Sequence, residues 1–284
     1  MSDAVIFTRS LTHIYQPGPL AQLALVDVSL EIARGSCVAI VGVTGSGKST
    51  LVQHFNGLLR PTSGSVIVDG VDAGDAAADL RLLRQRVGML FQSPEAQLFA
   101  ATVFADVAFG PQRMGLPAAQ LRERVFAALE IVGLSPEYAL RSPFELSGGQ
   151  MRRIALAGVL AIEPAVLVLD EPTVGLDAMA RAEFYGYVRR IQRERGVTIV
   201  LVSHDMAEVA AIAEQVIVLY AGRLVAQGPP QYIFALGDQL REWGLIEPPL
   251  SELLTLLRRR GVAVPPEVST VEEAFGLLAD HHGV

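Results

Sequence analysis

Lysine is all but missing from this 284-residue chain: of its 23 basic side chains 22 are arginine, and Lys48 stands alone. Cysteine is as scarce. With Cys37 the one example, no internal disulfide can form, and the expected setting is a reducing compartment. Positive charge is in deficit, at net −7. A dedicated nucleic-acid binder carries the opposite balance, so no nucleic-acid partner is expected. Long hydrophobic runs are absent too. Mean hydropathy is high, at +0.38, yet the longest apolar stretch, 154–162, is halted by Glu163-Pro164, well short of the ~20 residues a spanning helix needs. The first ten residues show no basic region leading into an apolar stretch, so no secretory signal is expected. At this length and 51% hydrophobic residues a large core can form, which excludes a disordered chain or a disulfide-stapled miniature. The expectation is a cytosolic chain whose surplus apolar surface is core or docks a partner.

What is present is an alternation of strand and helix patterns. Alternating apolar positions over 4–11 and 25–32 predict strands, and the nearly unbroken apolar run 36–41 predicts a buried one. A glycine-rich turn and a helix over 48–59 follow, then a turn at 61–64, a strand at 65–69, a helix at 80–86 and a buried strand at 87–91. From Pro94 to about Arg141 the pattern is helical, with Leu121, Val125, Leu129 and Val132 on one face. A second series follows: helix 148–161, strand 165–169, helix 178–195, strand 197–202, and a hairpin over 215–227 turning at Ala221-Gly222. Beyond Pro229 the chain is proline-punctuated, helical and acidic, with four Arg against eight Asp or Glu in 230–284. Such alternation predicts an α/β fold: a mostly parallel sheet covered on both faces, with the helical block between its halves forming a separate lobe and the acidic tail a third, small element.

The lone lysine sits in Gly42-Val-Thr-Gly-Ser-Gly47-Lys48-Ser49, which fits the phosphate-loop pattern GxxxxGK[ST]. Composition alone gives this pattern at a given lysine about once in a thousand. Backbone N–H groups must curl around a phosphate, and side chains would block that approach, hence glycine. Lys48 then reaches the outer phosphate oxygens, Ser49 ligates Mg²⁺, and the following helix aims its positive end at the anion. Residues 166–171, Val-Leu-Val-Leu-Asp-Glu, read as a buried strand ending in two carboxylates. Alone that is ordinary; beside a phosphate loop, Asp170 is expected to hold Mg²⁺ and Glu171 to act as general base toward the attacking water. Leu146-Ser-Gly-Gly-Gln150 opens a helix with two glycines and so forms a second anion-facing helix start. In isolation it reads equally as a turn. Since the first loop is already a complete cradle, the second is expected to serve a nucleotide held by another subunit. The adjacent pair His281-His282 lies close to the end of the sequence and is not read as a metal site.

With these motifs in place the chain resembles the ATP-binding cassette (ABC) ATPases over about residues 4–228. The resemblance implies ATP and Mg²⁺ as cofactors, with Tyr15, Gly42, Thr44, Gly45, Ser46, Gly47, Lys48, Ser49 and Thr50 as nucleotide contacts. Ser147, Gly148, Gly149 and Gln150 match the signature loop, and Asp177 matches the D-loop residue that communicates across a dimer. Gln92 matches the Q-loop glutamine that touches Mg²⁺, and His204 the switch histidine at the γ-phosphate. The implied fold is a P-loop NTPase core with an antiparallel β subdomain and an inserted helical subdomain at about 94–160. The implied domains are 1–228 and a C-terminal helical dimerisation or regulatory region at 229–284.

Four segments carry a narrower resemblance, to the ATPases of energy-coupling factor importers: Gln92-Ser-Pro-Glu95-Ala-Gln97-Leu-Phe99, residues 151–160, residues 53–64 and Tyr15-Gln-Pro-Gly18. They are most similar to the second ATPase type of that family, which pairs with a related but different ATPase. That implies a second ATPase subunit in a hetero- or homodimer, a transmembrane coupling subunit, a small membrane substrate-binding subunit, a place at the cytoplasmic face of the membrane, and uptake of a vitamin or metal ion. Glu95 is then expected to pair with an arginine of the membrane subunit. A classical binding-protein-dependent importer would share the core. A DNA-repair or chromosome ATPase is disfavoured, because those insert a long coiled coil between the two nucleotide motifs and Lys48 and Asp170 lie too close for one; a non-hydrolysing clamp is disfavoured because Glu171 and His204 are both in place.

Overall fold

The structure, a computed structural model, describes residues 3–16, 18, 21–75, 78–262, 264–265 and 274–275. Among the described residues ten strands form two sheets. β1 (Ala4–Tyr15), β2 (Gln22–Ala33), β4 (Ser63–Val68) and β5 (Val71–Asp72) make an antiparallel sheet in the order β2-β1-β4-β5. The larger sheet takes β3 (Cys37–Val41), β6 (Val87–Leu90), β7 (Val166–Asp170), β8 (Thr198–Ser203), β9 (Gln215–Tyr220) and β10 (Arg223–Gly228) in the order β10-β9-β3-β8-β7-β6. Its pairings are parallel except at the edge, where β10 runs antiparallel to β9.

Parity along the central strands decides which core each side chain enters, because successive Cβ atoms point to opposite faces. Cys37, Ala39 and Val41 of β3 and Leu167 and Leu169 of β7 enter one core. Val38, Ile40, Val166 and Val168 enter the other, which the antiparallel sheet closes together with α1 (Lys48–Phe55) and α2 (Leu80–Arg86). The first core is covered by α3 (Val103–Arg113), α4 (Ala118–Ile131), α5 (Gly148–Leu160), α6 (Ala178–Arg195), α7 (Met206–Ile212) and α8 (Pro230–Phe234). The inserted helices therefore share their core with the sheet. Val125, Leu129 and Val132 are fully buried as the α4 face requires, and Leu121 packs at its margin. The C-terminal stretch adds α9 (Asp238–Glu242) and α10 (Pro249–Arg259), with Leu254, Val264 and Ala274 in a small satellite cluster. Residues 263, 266–273 and 276–284, His281-His282 included, lie outside the described residues.

Several boundaries differ from the sequence reading. The first helix stops at Phe55 rather than Leu59, because Gly57 takes φ +67° and Gln53 O turns back to accept from the Leu58 and Leu59 amides. β1 and β2 run to twelve residues each, past the points where apolar alternation fades, since register shifts let the pairing continue. The turn expected at 61–64 ends in strand, Ser63 and Gly64 being part of β4. The stretch from Pro94 is broken into a 3-10 turn at Pro94–Gln97, α3, α4 and a second 3-10 turn at Pro136–Leu140. Among the described residues no helix is long and apolar enough to cross a membrane.

Candidate active site

β3 delivers the chain into the turn 42–47, where Gly42, Gly45 and Gly47 all take positive φ. Two of them illustrate separate demands. A Cβ on Gly45 would meet open space, so its φ of +81° is what calls for glycine. A Cβ on Gly47 would stand 2.6 Å from Ala24 O, so β2 crowds out any side chain there as well. Gly47 caps α1 without a side-chain bond, which leaves the amides of the first turn available to an anion. Lys48 is buried, and its Nζ donates to Gly42 O at 2.7 Å and Val43 O at 3.0 Å. Burial pulls its pKa below the ordinary lysine value, opposed by the nearby Glu171 and Asp170 carboxylates. Ser46 Oγ is buried with no hydrogen-bond partner among the described residues.

Asp170 and Glu171 follow directly from β7. Burial raises the Asp170 pKa above the usual carboxylate range, a hydrogen bond from Ser49 opposes the rise, the adjacent Glu171 adds to it, and Lys48 lowers it. A half-buried carboxylate beside a serine hydroxyl is the oxygen-donor chemistry a hard divalent cation selects. Glu171 takes a left-handed φ of +48°, a conformation costing about 1 kcal/mol in a non-glycine residue. Its amide is tied to Val202 O at 2.9 Å. Each of its carboxylate oxygens has a partner: Gln92 Nε2 lies 3.0 Å from Oε2, and His204 Nδ1 lies 3.1 Å from Oε1.

Tyr15, Thr44, Gly45, Gly47, Lys48, Ser49, Thr50, Gln92, Asp170 and Glu171 line one open cavity of about 370 Å³. β2 contributes Gln22, Leu23 and Ala24 to the same wall. Sequence reasoning passed over these three, which carry no motif of their own. The Tyr15 hydroxyl is bonded to Thr50 Oγ1 at 3.2 Å, and its ring meets His13 edge-on with centroids 4.5 Å apart. His13 in turn faces the fully buried His54, Nδ1 to Nε2, at 3.2 Å.

Ser147–Gln150 lines no part of that cavity. It opens α5 with a reciprocal cap: Gln150 N donates to Ser147 Oγ at 3.3 Å, and Ser147 N donates to Gln150 Oε1 at 3.0 Å. Gln150 Nε2 also donates to Tyr138 Oη at 3.0 Å. A Cβ at Gly148 or Gly149 would meet nothing within 4 Å, and neither residue has positive φ. Nothing in this chain's own packing requires glycine there, although each costs the helix about 0.5–1 kcal/mol relative to alanine. Asp177 caps α6, accepting from Ala180 N at 2.8 Å. Glu95 faces this chain's own Arg152, at 3.8 Å, and that side chain also donates to Val174 O. The free carboxylate expected there is thus partly engaged within the chain.

The family described as ABC transporter matches residues 25–174. The energy-coupling factor transporter ATP-binding protein EcfA2 of Symbiobacterium thermophilum is 53% identical over 283 residues, covering 98% of each chain. EcfA1 of the same organism is 49% identical over 257 residues, covering 90% of this chain and 88% of that one. Among solved structures, CbiO1 of Clostridium perfringens, described as part of the ABC transporter complex cbiONQ, superimposes with a TM-score of 0.76 at 38% identity. That match covers 89% of this chain and 99% of CbiO1.

Proposed function

Because the chain belongs to the ABC transporter ATPases, and within them to the energy-coupling factor ATP-binding proteins, we propose that it is one of two unlike cassettes that close around two ATP molecules and drive vitamin or metal-ion uptake. Its partners are a sister ATPase, a transmembrane coupling subunit and a small membrane substrate-binding subunit, and it sits peripherally on the cytoplasmic face of the membrane. Its greater identity to EcfA2 than to EcfA1 of one organism supports the second ATPase type.

The observation that carries the reading is the division of the site. One half surrounds Lys48 in the 370 Å³ cavity, while the glycine-opened start of α5 lies outside it and has no steric reason within the chain. Two such chains facing each other would each complete the other's site. In each, Lys48 and the α1 amides bind the phosphates, and Tyr15 offers its ring to the base. Ser49 and Asp170 would hold Mg²⁺, which when bound neutralises charge on the phosphate oxygens. Glu171 accepts a proton from the attacking water. His204 and Gln92 orient that carboxylate, His204 also reaching toward the γ-phosphate. Ser147, Gly148, Gly149 and Gln150 close over the partner's nucleotide, with Asp177 at the seam.

A surface groove of about 330 Å³ next to the Q-loop, lined by Phe91, Gln97, Leu98 and Phe109, offers the coupling subunit an apolar seat. Its position joins transport to Gln92. The test is affinity purification of the tagged protein from detergent-solubilised native membranes, with each co-purifying subunit identified by mass. A second, non-identical cassette, one polytopic subunit and a small hydrophobic subunit support the proposal. Recovery with two membrane domains and a periplasmic-type binding protein moves it to a classical importer.

A further inference from the structure

Glu208 lies on α7, is 2% exposed, and belongs to none of the nucleotide motifs. Its carboxylate bridges two segments that the proposed hydrolytic step uses. Oε1 is 3.0 Å from Thr173 Oγ1, two residues after Glu171, and Oε2 is 2.5 Å from Ser203 Oγ, the residue before His204. The hydrogen-bond polarity is complete in one sense. The Asp205 amide donates to Ser203 Oγ at 3.0 Å, leaving the serine proton for Glu208. An ionised carboxylate only accepts, so the Thr173 hydroxyl donates to the other oxygen. Burial raises the Glu208 pKa, and both hydroxyl bonds oppose the rise. A buried carboxylate is costly unless its oxygens are satisfied, and here two hydroxyls do so.

The reason for this arrangement lies in His204. Its side chain is 61% exposed, and its bond in the structure is to Glu171. Packing alone does not orient it, so its reach depends on where the backbone at the end of β8 is held. On the sheet side Asp170 pairs with Val202, and the Glu171 amide donates to Val202 O. Nothing in the sheet extends that grip to Thr173 or to His204. Glu208 closes the far side through its bonds to Thr173 and Ser203, the Ser203 bond having the short length of a charge-assisted one.

We infer that Glu208 is a positioning residue for hydrolysis: by bonding Thr173 and Ser203 at once, it holds the Glu171 segment and the His204 segment in one register. It lines no part of the nucleotide cavity. The inference rests on the proposed roles of Glu171 and His204.

The test is steady-state ATP hydrolysis by the full-length chain in its purified complex, with kcat and KM separated, for Glu208→Gln, Thr173→Val, Thr173→Ser and Glu171→Gln. Glu208→Gln keeps the shape but aims an amide donor at a hydroxyl that must itself donate. Expected are a kcat at least tenfold lower with KM for ATP within twofold of wild type, a similar loss in Thr173→Val, and recovery to within threefold in Thr173→Ser. Wild-type kcat in Glu208→Gln, or a loss that appears in KM alone, overturns the inference. If Glu208→Gln does not fold, the threonine pair decides: loss in valine with rescue by serine supports it, and full activity in valine overturns it. Wild-type turnover in Glu171→Gln would instead overturn the catalytic assignment itself, and this inference with it.

Discussion

Glu171 and His204 meet at 3.1 Å, Oε1 to Nδ1, although 33 residues separate them and each stands just beyond the end of a strand. An ionised carboxylate only accepts, so the ring nitrogen that faces it is the donor. Neighbouring parallel strands bring the two residues together at their carboxyl ends, where α/β sheets hold their ligands.

His204→Ala removes that partner while leaving Gln92 on the other oxygen. ATP hydrolysis is expected to fall at least a hundredfold, in keeping with the ~10²–10⁴-fold worth of a positioned acid–base group. ATP binding, read by fluorescent-nucleotide titration, is expected to stay within threefold. Wild-type turnover would remove His204 from the step.

Gly149→Ala separates folding from assembly. Open space around the position predicts unchanged or slightly higher stability, by about 0.5–1 kcal/mol, because alanine is the better helix former. The chain's own Lys48 site is expected to bind ATP normally, while ATP-driven closure with the sister cassette is lost. Thermal melts and sedimentation in one buffer check both halves. A variant that unfolds contradicts the structural reading, and one that still closes contradicts the functional one.

The nucleotide half of the site was legible because its chemistry demands rare residue types in fixed order: the one lysine after Gly42, Gly45 and Gly47, and two acids ending a run of buried aliphatics. The alternating fold was legible for a similar reason, apolar period two switching to period 3.6 at glycine. Less visible were contacts made by common residues from distant elements. Gln22, Leu23 and Ala24 enter the cavity wall only because β2 pairs with β1, and the Tyr15 hydroxyl reaches from the end of β1 to Thr50 on α1. Glu208 offered one clue, an acid one place from Val209 on a short helix whose buried face includes Met206 and Ile212. Its partners Thr173 and Ser203 are adjacent only in three dimensions.

Cys37 is 1% exposed, and burial, with Glu214 nearby, pushes its thiol pKa up to about 12. Thiolate, the reactive form, is therefore scarce at neutral pH. A thiol reagent at pH 8 is expected to leave the folded protein unlabelled and to add one label per chain on denaturation. Rapid labelling of the native protein would contradict the packing at β3.

His54 sets a pH dependence. Burial lowers its pKa to about 4 from 6.5, while Nδ1 bonds Thr50 O and Nε2 faces His13. A depressed histidine stays neutral when folded, so the unfolded chain binds the proton first as pH falls. Stability is then full above about pH 6.5 and declines toward pH 4, by at most about 3 kcal/mol from this group. Denaturant melts across that range are expected to show a shallower decline in His54→Gln than in wild type. Parallel declines would refute the assignment.

Glu171→Gln tests the composite site most directly. The amide keeps the geometry of the carboxylate but cannot take a proton, so the variant is expected to bind ATP, to lower turnover at least a hundredfold, and to hold the closed pair with the sister cassette. Analytical ultracentrifugation with Mg²⁺-ATP is the measurement. A stable pair in ATP that dissociates in ADP, and that is lost when Gly149→Ala is added, is the predicted result. Wild-type turnover, or a pair that forms regardless of nucleotide, would contradict a site built from two chains with Glu171 as its base.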